Sequence, residues 1–394
     1  MIIEPKVKGF ICITAHPAGC RSGVEAQIEY CRRLGLLKTP QKALIIGASA
    51  GFGLASRVAL AFGGGADTLG VAFERNAEKS RTGSAGWYNT AAFHEFASKD
   101  GLYAKTVMGD AFSHVAKSTV ADMIKADFGK VDCVIYSLAA PVRTDADTGE
   151  RYASVIKPVG DVYRSKSIDI SCGAIIEAEA EPATDAECAG TVKVMGGEDF
   201  SAWMDALSGA NLLEPGCVAL AYSYIGPEMT HPIYRDGTIG LAKQHLRAAA
   251  DDISRRMAPT CNAYISINKA LVTQASSAIP VVPLYISILY RVMKERGLHE
   301  GCIEQMRRMF QKIDSGRFTD CDGYIRMDDY ELSLEVQAEV ARRWDIIDDE
   351  NLSELADLDG YRADFLKIFG FGHEDVDYSA DTDPFVNIDG AVIL

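Results

Sequence analysis

The sequence predicts an α/β protein: a doubly wound parallel sheet of Rossmann type, carrying an insertion and a C-terminal helical cap. Three observations predict it. Apolar runs of strand length alternate with amphipathic stretches of helix length, the pattern of parallel strands covered on both faces. A glycine-rich turn follows the first strong strand, where such a fold places its anion-binding loop. Six strand candidates succeed one another from Lys42 onward, the number a complete dinucleotide fold requires.

Element by element, residues 10–14 read as a strand and 23–34 as a helix, forming an N-terminal extension over 1–40. The six strands are placed at 42–46, 68–73, 105–109, 131–137, 217–224 and 263–268. Helical segments fill the gaps between them. Residues 143–191 break the rhythm and are acidic in their second half (Glu177, Glu179, Glu181, Asp185, Glu187), which suggests an insertion of hairpins and loops. The tail, 317–394, carries helical pieces at 332–345 and 352–369 and is expected to cap the sheet. The division is therefore one compact body, 1–394, with a dinucleotide-binding and catalytic core at 41–142 and 192–316.

Composition narrows the function classes. A net charge of −15 over 394 residues argues against nucleic acid or an anionic membrane as the main partner. The start lacks a basic segment followed by an apolar one, so no secretory signal is read. The longest nearly uncharged stretch, 275–290, is interrupted by Pro280 and Pro283. A membrane span needs about 20 residues, so no insertion is expected. Ten cysteines with no Cys-x2-Cys pair read as reduced thiols of a cytoplasmic protein rather than a disulfide framework or zinc site.

The strongest motif is Gly47-Ala48-Ser49-Ala50-Gly51-Phe52-Gly53, directly after the strand 42–46 and before a helical stretch. Glycine is needed there for the tight turn, for backbone approach to a pyrophosphate and for close helix–strand packing. Free N–H groups at the helix start then hold the anion. The second strand ends at Phe73-Glu74, where a carboxylate can accept hydrogen bonds from the adenosine ribose. That carboxylate would repel a 2′-phosphate, which favours NADH over NADPH, although Arg75 stands beside it. Asp110-Ala111 ends the third strand, where the aspartate could receive the adenine amino group. Leu138-Ala139 ends the fourth, where a small residue lets the backbone approach a cofactor. All of these fall on the carboxyl edge of the sheet, where open α/β folds bind ligands.

After the fifth strand come Tyr224 and then Tyr234 with Lys243 nine residues on. A phenol can stabilise or protonate a developing oxyanion, and an ammonium lowers its pKa and grips the nicotinamide ribose. Nine steps at about 100° would put the two on opposite faces of one continuous helix. Tyr234 must therefore lie on a loop or earlier turn, with Thr238 a reasonable N-cap for the helix carrying Lys243. A second pair, Tyr290-x3-Lys294, lies far past the sixth strand and reads as interior packing plus a surface lysine. His231 could assist protonation or simply pack. Asp320-x-Asp322-Gly323 faintly resembles a calcium loop but reads better as a turn, and no histidine pairing suggests metal.

These segments, with Gly86-Trp87-Tyr88-Asn89, Gly109-Asp110-Ala111-Phe112, Tyr136-Ser137-Leu138-Ala139, residues 194–199 and Tyr222-Ser223-Tyr224-Ile225-Gly226, together resemble the single-chain trans-2-enoyl reductase family over nearly the whole chain. That family holds trans-2-enoyl-CoA reductases and a class of bacterial enoyl-acyl-carrier-protein reductases. The resemblance implies an enlarged short-chain-reductase fold, usually a monomer, using NADH on enoyl-CoA or enoyl-acyl-carrier protein in fatty acid synthesis. It implies Tyr234 as proton donor, Lys243 as a cofactor contact, Tyr224 against the substrate, and Leu271-Val272-Thr273 on the nicotinamide side. Some descriptions of the family attach flavin to the C-terminal part, but no flavin fingerprint is visible here. The alternative enzyme, a short-chain dehydrogenase acting on a hydroxyl or ketone, would want Tyr-x3-Lys after the fifth strand, which is absent. A dinucleotide-sensing regulator without activity would have no use for both Tyr234 and Lys243.

Overall fold

Strand β1, Lys42–Ile46, carries Ala43, Leu44, Ile45 and Ile46, all fully buried. So apolar a run is stable only with both sheet faces covered. It lies near the middle of a sheet with β2 (Asp67–Ala72), β3 (Ala104–Met108), β4 (Val131–Tyr136), β5 (Leu213–Ser223), β6 (Cys261–Ile267), β7 (Tyr324–Arg326) and β8 (Ala391–Ile393). Among the described residues the sheet has eight strands, in the order β7-β6-β5-β4-β1-β2-β3-β8, and every pairing is parallel. The structure is a computed structural model that describes residues 1–9, 11–79, 81–273, 276 and 279–394. Phe10, at the head of the expected strand 10–14, and Ala275, at the head of the apolar stretch, lie outside them.

Helices cover both faces of the sheet, and others pack together beside it. They are α1 (Pro17–Arg33), α2 (Gly51–Gly64), α3 (Ala85–Lys99), α4 (His114–Asp127), α5 (Asp185–Met195) and α6 (Glu198–Gly209). After them come α7 (Thr238–Met257), α8 (Val282–Glu295), α9 (Cys302–Asp314), α10 (Leu334–Ile346), α11 (Leu352–Leu355) and α12 (Leu358–Lys367). On one face Ile28, Leu60, Phe93 and Met309 meet the sheet; on the other Val120, Trp203, Leu246 and Ile253 do. Each such side chain contributes roughly 1.5–3 kcal/mol on burial. Helix starts are locally encoded: His16 accepts from Gly19 N–H, Ser113 from Ala116 N–H, and Thr184 forms a capping box with Glu187.

The structure amends four expectations. In the N-terminal extension the strand shrinks to Ile11–Cys12, paired antiparallel with Val7–Lys8 outside the main sheet. The insertion does hold two hairpins, Val142–Thr144 with Arg151–Ala153 and Tyr163–Asp169 with Ala174–Ala180, but it ends in helix α5. The tail does more than cap: it supplies β7 and β8, one on each edge of the sheet. Its helical stretch 352–369 is broken between α11 and α12, where Asp357 turns to cap Gly360 N–H. Helix α8 is apolar almost all round, and Leu284, Ile286, Ile288 and Leu289 are fully buried. It can be so because α10, α12 and the second hairpin pack around it.

Candidate active site

The carboxyl ends of β1 and β4 are adjacent although the chain runs away from them in opposite directions, which makes a crevice. Gly47 begins the turn at φ +87°, and a Cβ there would lie 2.2 Å from the Ser137 carbonyl oxygen. A Cβ on Gly53 would lie 1.9 Å from the Gly47 carbonyl oxygen. The turn is thus folded back on itself so tightly that only glycine fits. Ala50 is the extended N-cap of α2, and it has no side chain to occupy the free N–H groups at the helix start. Ala48 and Ser49 are buried, Gly51 is exposed, and the Phe52 ring meets Tyr222 edge-on with centroids 6.0 Å apart. Leu138 is half-buried against Gly47, and Ala139 is exposed beside it. The turn and the end of β4 are therefore brought together, as a pyrophosphate cradle requires.

Glu74 follows β2 and is held by two hydroxyls: Ser49 donates to Oε1 at 2.6 Å, and Ser84 donates to Oε2. Close packing enforces this, since a Cβ on Gly86 would lie 2.0 Å from Oε1. Phe73 beside it is 80% exposed. Asp110 follows β3, and its Oδ1 accepts from Phe112 N–H at 2.9 Å. Ala111 is buried and its carbonyl accepts from Lys117 Nζ at 3.0 Å. Lys117 in turn is paired with buried Asp199 at 2.7 Å, and Asp199 also accepts from Tyr136 OH at 3.0 Å. That network braces the loop after β3 from below.

Tyr234 lies in a turn ahead of α7, its N–H donating to the Thr230 carbonyl at 3.0 Å. Helix α7 starts at Thr238, but its N-cap is Gly237. Thr238 was the expected cap; its hydroxyl instead donates to the Val155 carbonyl in the insertion. The break before α7 removes the opposite-face problem. The Tyr234 ring packs edge-on against Tyr224, centroids 4.9 Å apart, and Lys243 Nζ donates to the Tyr222 carbonyl at 2.9 Å. Both groups are thereby tied to residues 222–224 at the carboxyl end of β5.

The two phenols differ in what they can give. The Tyr224 hydroxyl donates to Glu331 Oε1 at 2.9 Å, whereas among the described residues no group takes the Tyr234 proton. Burial pushes the Tyr234 phenol well above the usual range, so it stays protonated at neutral pH. Burial also draws the Lys243 ammonium down to about 8. His231 uses Nε2 on the Gly226 carbonyl at 3.0 Å. The other pair is committed elsewhere: the Tyr290 hydroxyl accepts from Val272 N–H at 3.2 Å, and Lys294 pairs with Asp357 at 2.6 Å. Leu271 and Val272 are buried after β6, and Thr273 N–H donates to Ser276 at 2.9 Å.

Among the residues that hold these groups in place, sequence reasoning missed Ser84 and Glu331. Ser84 had a signal, since a serine opening a helical stretch is a favoured N-cap type, and it stands just before α3. Glu331 had none, being one acidic residue among several in the tail.

Residues 81–313 match the family model for the trans-2-enoyl-CoA reductase catalytic region, and 2–79 match that for the NAD(P)H binding domain of trans-2-enoyl-CoA reductase. Residues 319–382 match one described as an enoyl reductase FAD binding domain. Neither Gly323 nor Gly370 in that segment forms a dinucleotide phosphate turn. Gly323, at φ +78°, leads into the three-residue edge strand β7 rather than from strand to helix, as a phosphate turn would. Gly370 is closed against α1, where a Cβ on Gly19 would lie 1.7 Å from its carbonyl oxygen.

Among relatives, the chain is 53% identical to the enoyl-[acyl-carrier-protein] reductase [NADH] of Flavobacterium johnsoniae, over 99% of each chain. It is 52% identical to the trans-2-enoyl-CoA reductase [NADH] of Ruminiclostridium cellulolyticum, over 99% of this chain and 100% of that one. The crystal structure of Clostridium acetobutulicum trans-2-enoyl-CoA reductase in complex with NADH superposes with a TM-score of 0.96 at 44% identity, covering 99% of this chain and 100% of that one. Matched from the glycine turn through the tyrosine–lysine segment and into the tail, the chain belongs to the trans-2-enoyl-CoA reductase family.

Proposed function

We propose that the chain is an NADH-dependent reductase of trans-2-enoyl thioesters, acting on enoyl-CoA, enoyl-acyl-carrier protein or both in fatty acid synthesis. One observation carries the reading: an uncommitted phenol and an ammonium are tied to the same end of β5, on the sheet edge that bears the glycine turn. NADH bound along that edge supplies a hydride to C3 of the substrate. Charge then develops on the thioester oxygen, where the Tyr234 hydroxyl stabilises it and provides the proton that ends on C2. Lys243 has two protons beyond the one on Tyr222, enough to hold the nicotinamide ribose. Tyr224 offers its ring to the acyl thioester. The turn from Gly47 to Gly53 takes the pyrophosphate, Phe73 and Glu74 the adenosine ribose, and Asp110 and Ala111 the adenine. Leu138, Ala139, Leu271, Val272 and Thr273 line the nicotinamide half.

The same reading takes the chain as one reductase body and a cytoplasmic monomer. Strands from the tail bonded to both edges of the core sheet support the first; they also leave only short edges for another chain to pair with. Among the described residues no helix is long and apolar enough to cross a membrane. Steady-state NADH oxidation with crotonyl-CoA, longer enoyl-CoAs and enoyl-acyl-carrier protein, side by side, tests the reading. Tyr234→Phe lowers kcat by on the order of 10²-fold or more, with NADH affinity little changed. Wild-type turnover in that variant removes Tyr234 from the mechanism.

A further inference from the structure

Behind Tyr224 stands Glu331, a fully buried carboxylate of the tail just ahead of α10. Its hydrogen bonds have a fixed polarity. Ala270 N–H, which can only donate, reaches Oε2 at 2.7 Å. Tyr285 OH accepts from Gln337 Nε2 at 3.2 Å and so points its own proton at Oε1, 2.6 Å away. Tyr224 OH completes the set on Oε1 at 2.9 Å. Glu331 therefore receives three protons and gives none. Burial raises the Glu331 carboxyl above its ordinary value, and Lys269, buried next to Ala270 in sequence and donating to the Ala270 carbonyl at 2.9 Å, opposes that shift with a charge nearby.

The two segments that this carboxylate ties together matter. Tyr224 directly follows β5, and Ala270 stands at the head of the stretch after β6 that runs into Leu271, Val272 and Thr273. We propose that Glu331 is a positioning residue for the reduction. It turns the Tyr224 proton inward and fixes Ala270 relative to it, so that of the two phenols Tyr234 is the one whose proton is free for the substrate. The proposal rests on the reading of Tyr234 as donor. It also gives the tail a role in the chemistry that has nothing to do with flavin.

Glu331→Gln is the informative change because it keeps the shape and breaks the polarity. With its oxygen toward the phenols, the amide nitrogen faces Ala270 N–H, donor against donor. With the amide reversed, both phenols must accept, and the Tyr224 proton turns outward toward Tyr234. In either orientation E331Q lowers kcat by about tenfold or more while the KM for NADH stays within about twofold. Tyr224→Phe also lowers kcat, and the double variant falls no further than the lower single variant, because both changes remove one interaction. Wild-type kcat in E331Q, independent multiplicative effects, or a matching rise in the NADH KM would each overturn the proposal. If E331Q does not fold, Y224F still decides: wild-type kcat there means that holding Tyr224 has no consequence, and lowered kcat supports the assignment. Y234F run alongside separates the two ideas. Full activity in Y234F sinks the reading of the site, whereas an inactive Y234F with a fully active E331Q sinks the positioning role alone.

Discussion

Activity should fall with rising pH through an ionisation centred near 8, and Lys243 is the group responsible. Its ammonium reaches from α7 to the Tyr222 carbonyl at 2.9 Å, and burial draws its pKa from 10.5 to about 8. A group with that pKa is about nine-tenths protonated at pH 7, half at pH 8 and about one-tenth at pH 9. If only the ammonium holds the ribose, kcat/KM loses about tenfold for each further unit above that point. Stability moves the other way. The folded pKa lies below the unfolded one, so between about 8 and 10.5 the unfolded chain binds more protons and stability rises with pH. Below pH 8 the whole cost is present, on the order of 3 kcal/mol. Lys243→Arg keeps its charge over the whole range, so the alkaline fall disappears even if turnover is lower; Lys243→Met is poorly active at every pH. Lys269 has the same displaced value, about 8, so Lys269→Met is profiled in parallel. A fall that persists unchanged in K243R refutes the assignment.

Other outcomes follow from single contacts. Glu74→Ala removes the charge that would face a 2′-phosphate and frees Ser49 and Ser84. The ratio of kcat/KM for NADPH over NADH then rises by about tenfold or more, measured with both cofactors. Gly53→Ala drives a methyl group into the Gly47 carbonyl, 1.9 Å away. It costs about 1–3 kcal/mol in thermal or urea unfolding, and the NADH KM rises at least about tenfold; an unchanged KM argues against a pyrophosphate there. Lys117→Met strands the buried Asp199 carboxylate, and Tm falls by an amount equivalent to about 3–5 kcal/mol.

Particular elements show why some of this was legible in the sequence. Strand β1 was readable to the residue because an unbroken apolar run ends abruptly at Gly47. Of the other long strands, the one expected at 131–137 begins where expected, and the remaining ends are displaced by one to four residues, where the last pairings are set by neighbours rather than by local pattern. Strands β7 and β8 were invisible: each has three residues, too few to show a period, and each exists because a neighbouring strand offers a free edge. Thr238 was misjudged as a cap because its actual partner, the Val155 carbonyl, lies 83 residues away. The glycine turn and the tyrosine–lysine pair carry their chemistry within a few residues and could be read directly. Glu331 meets Tyr224 across 107 residues, and only the folded chain brings them together.

The placing of β7 and β8 has a mechanical side. They are successive strands in the chain, yet the other six strands lie between them, so residues 327–390 run from one rim of the sheet to the other like a girdle. A proteolytic nick after Glu331 in that span would cut the covalent link between the rims, leaving Glu331 on the side of β7 and β8 on the other. The far end of the girdle joins residues distant in the chain, β8 against 106–108, and contacts of such long range slow folding.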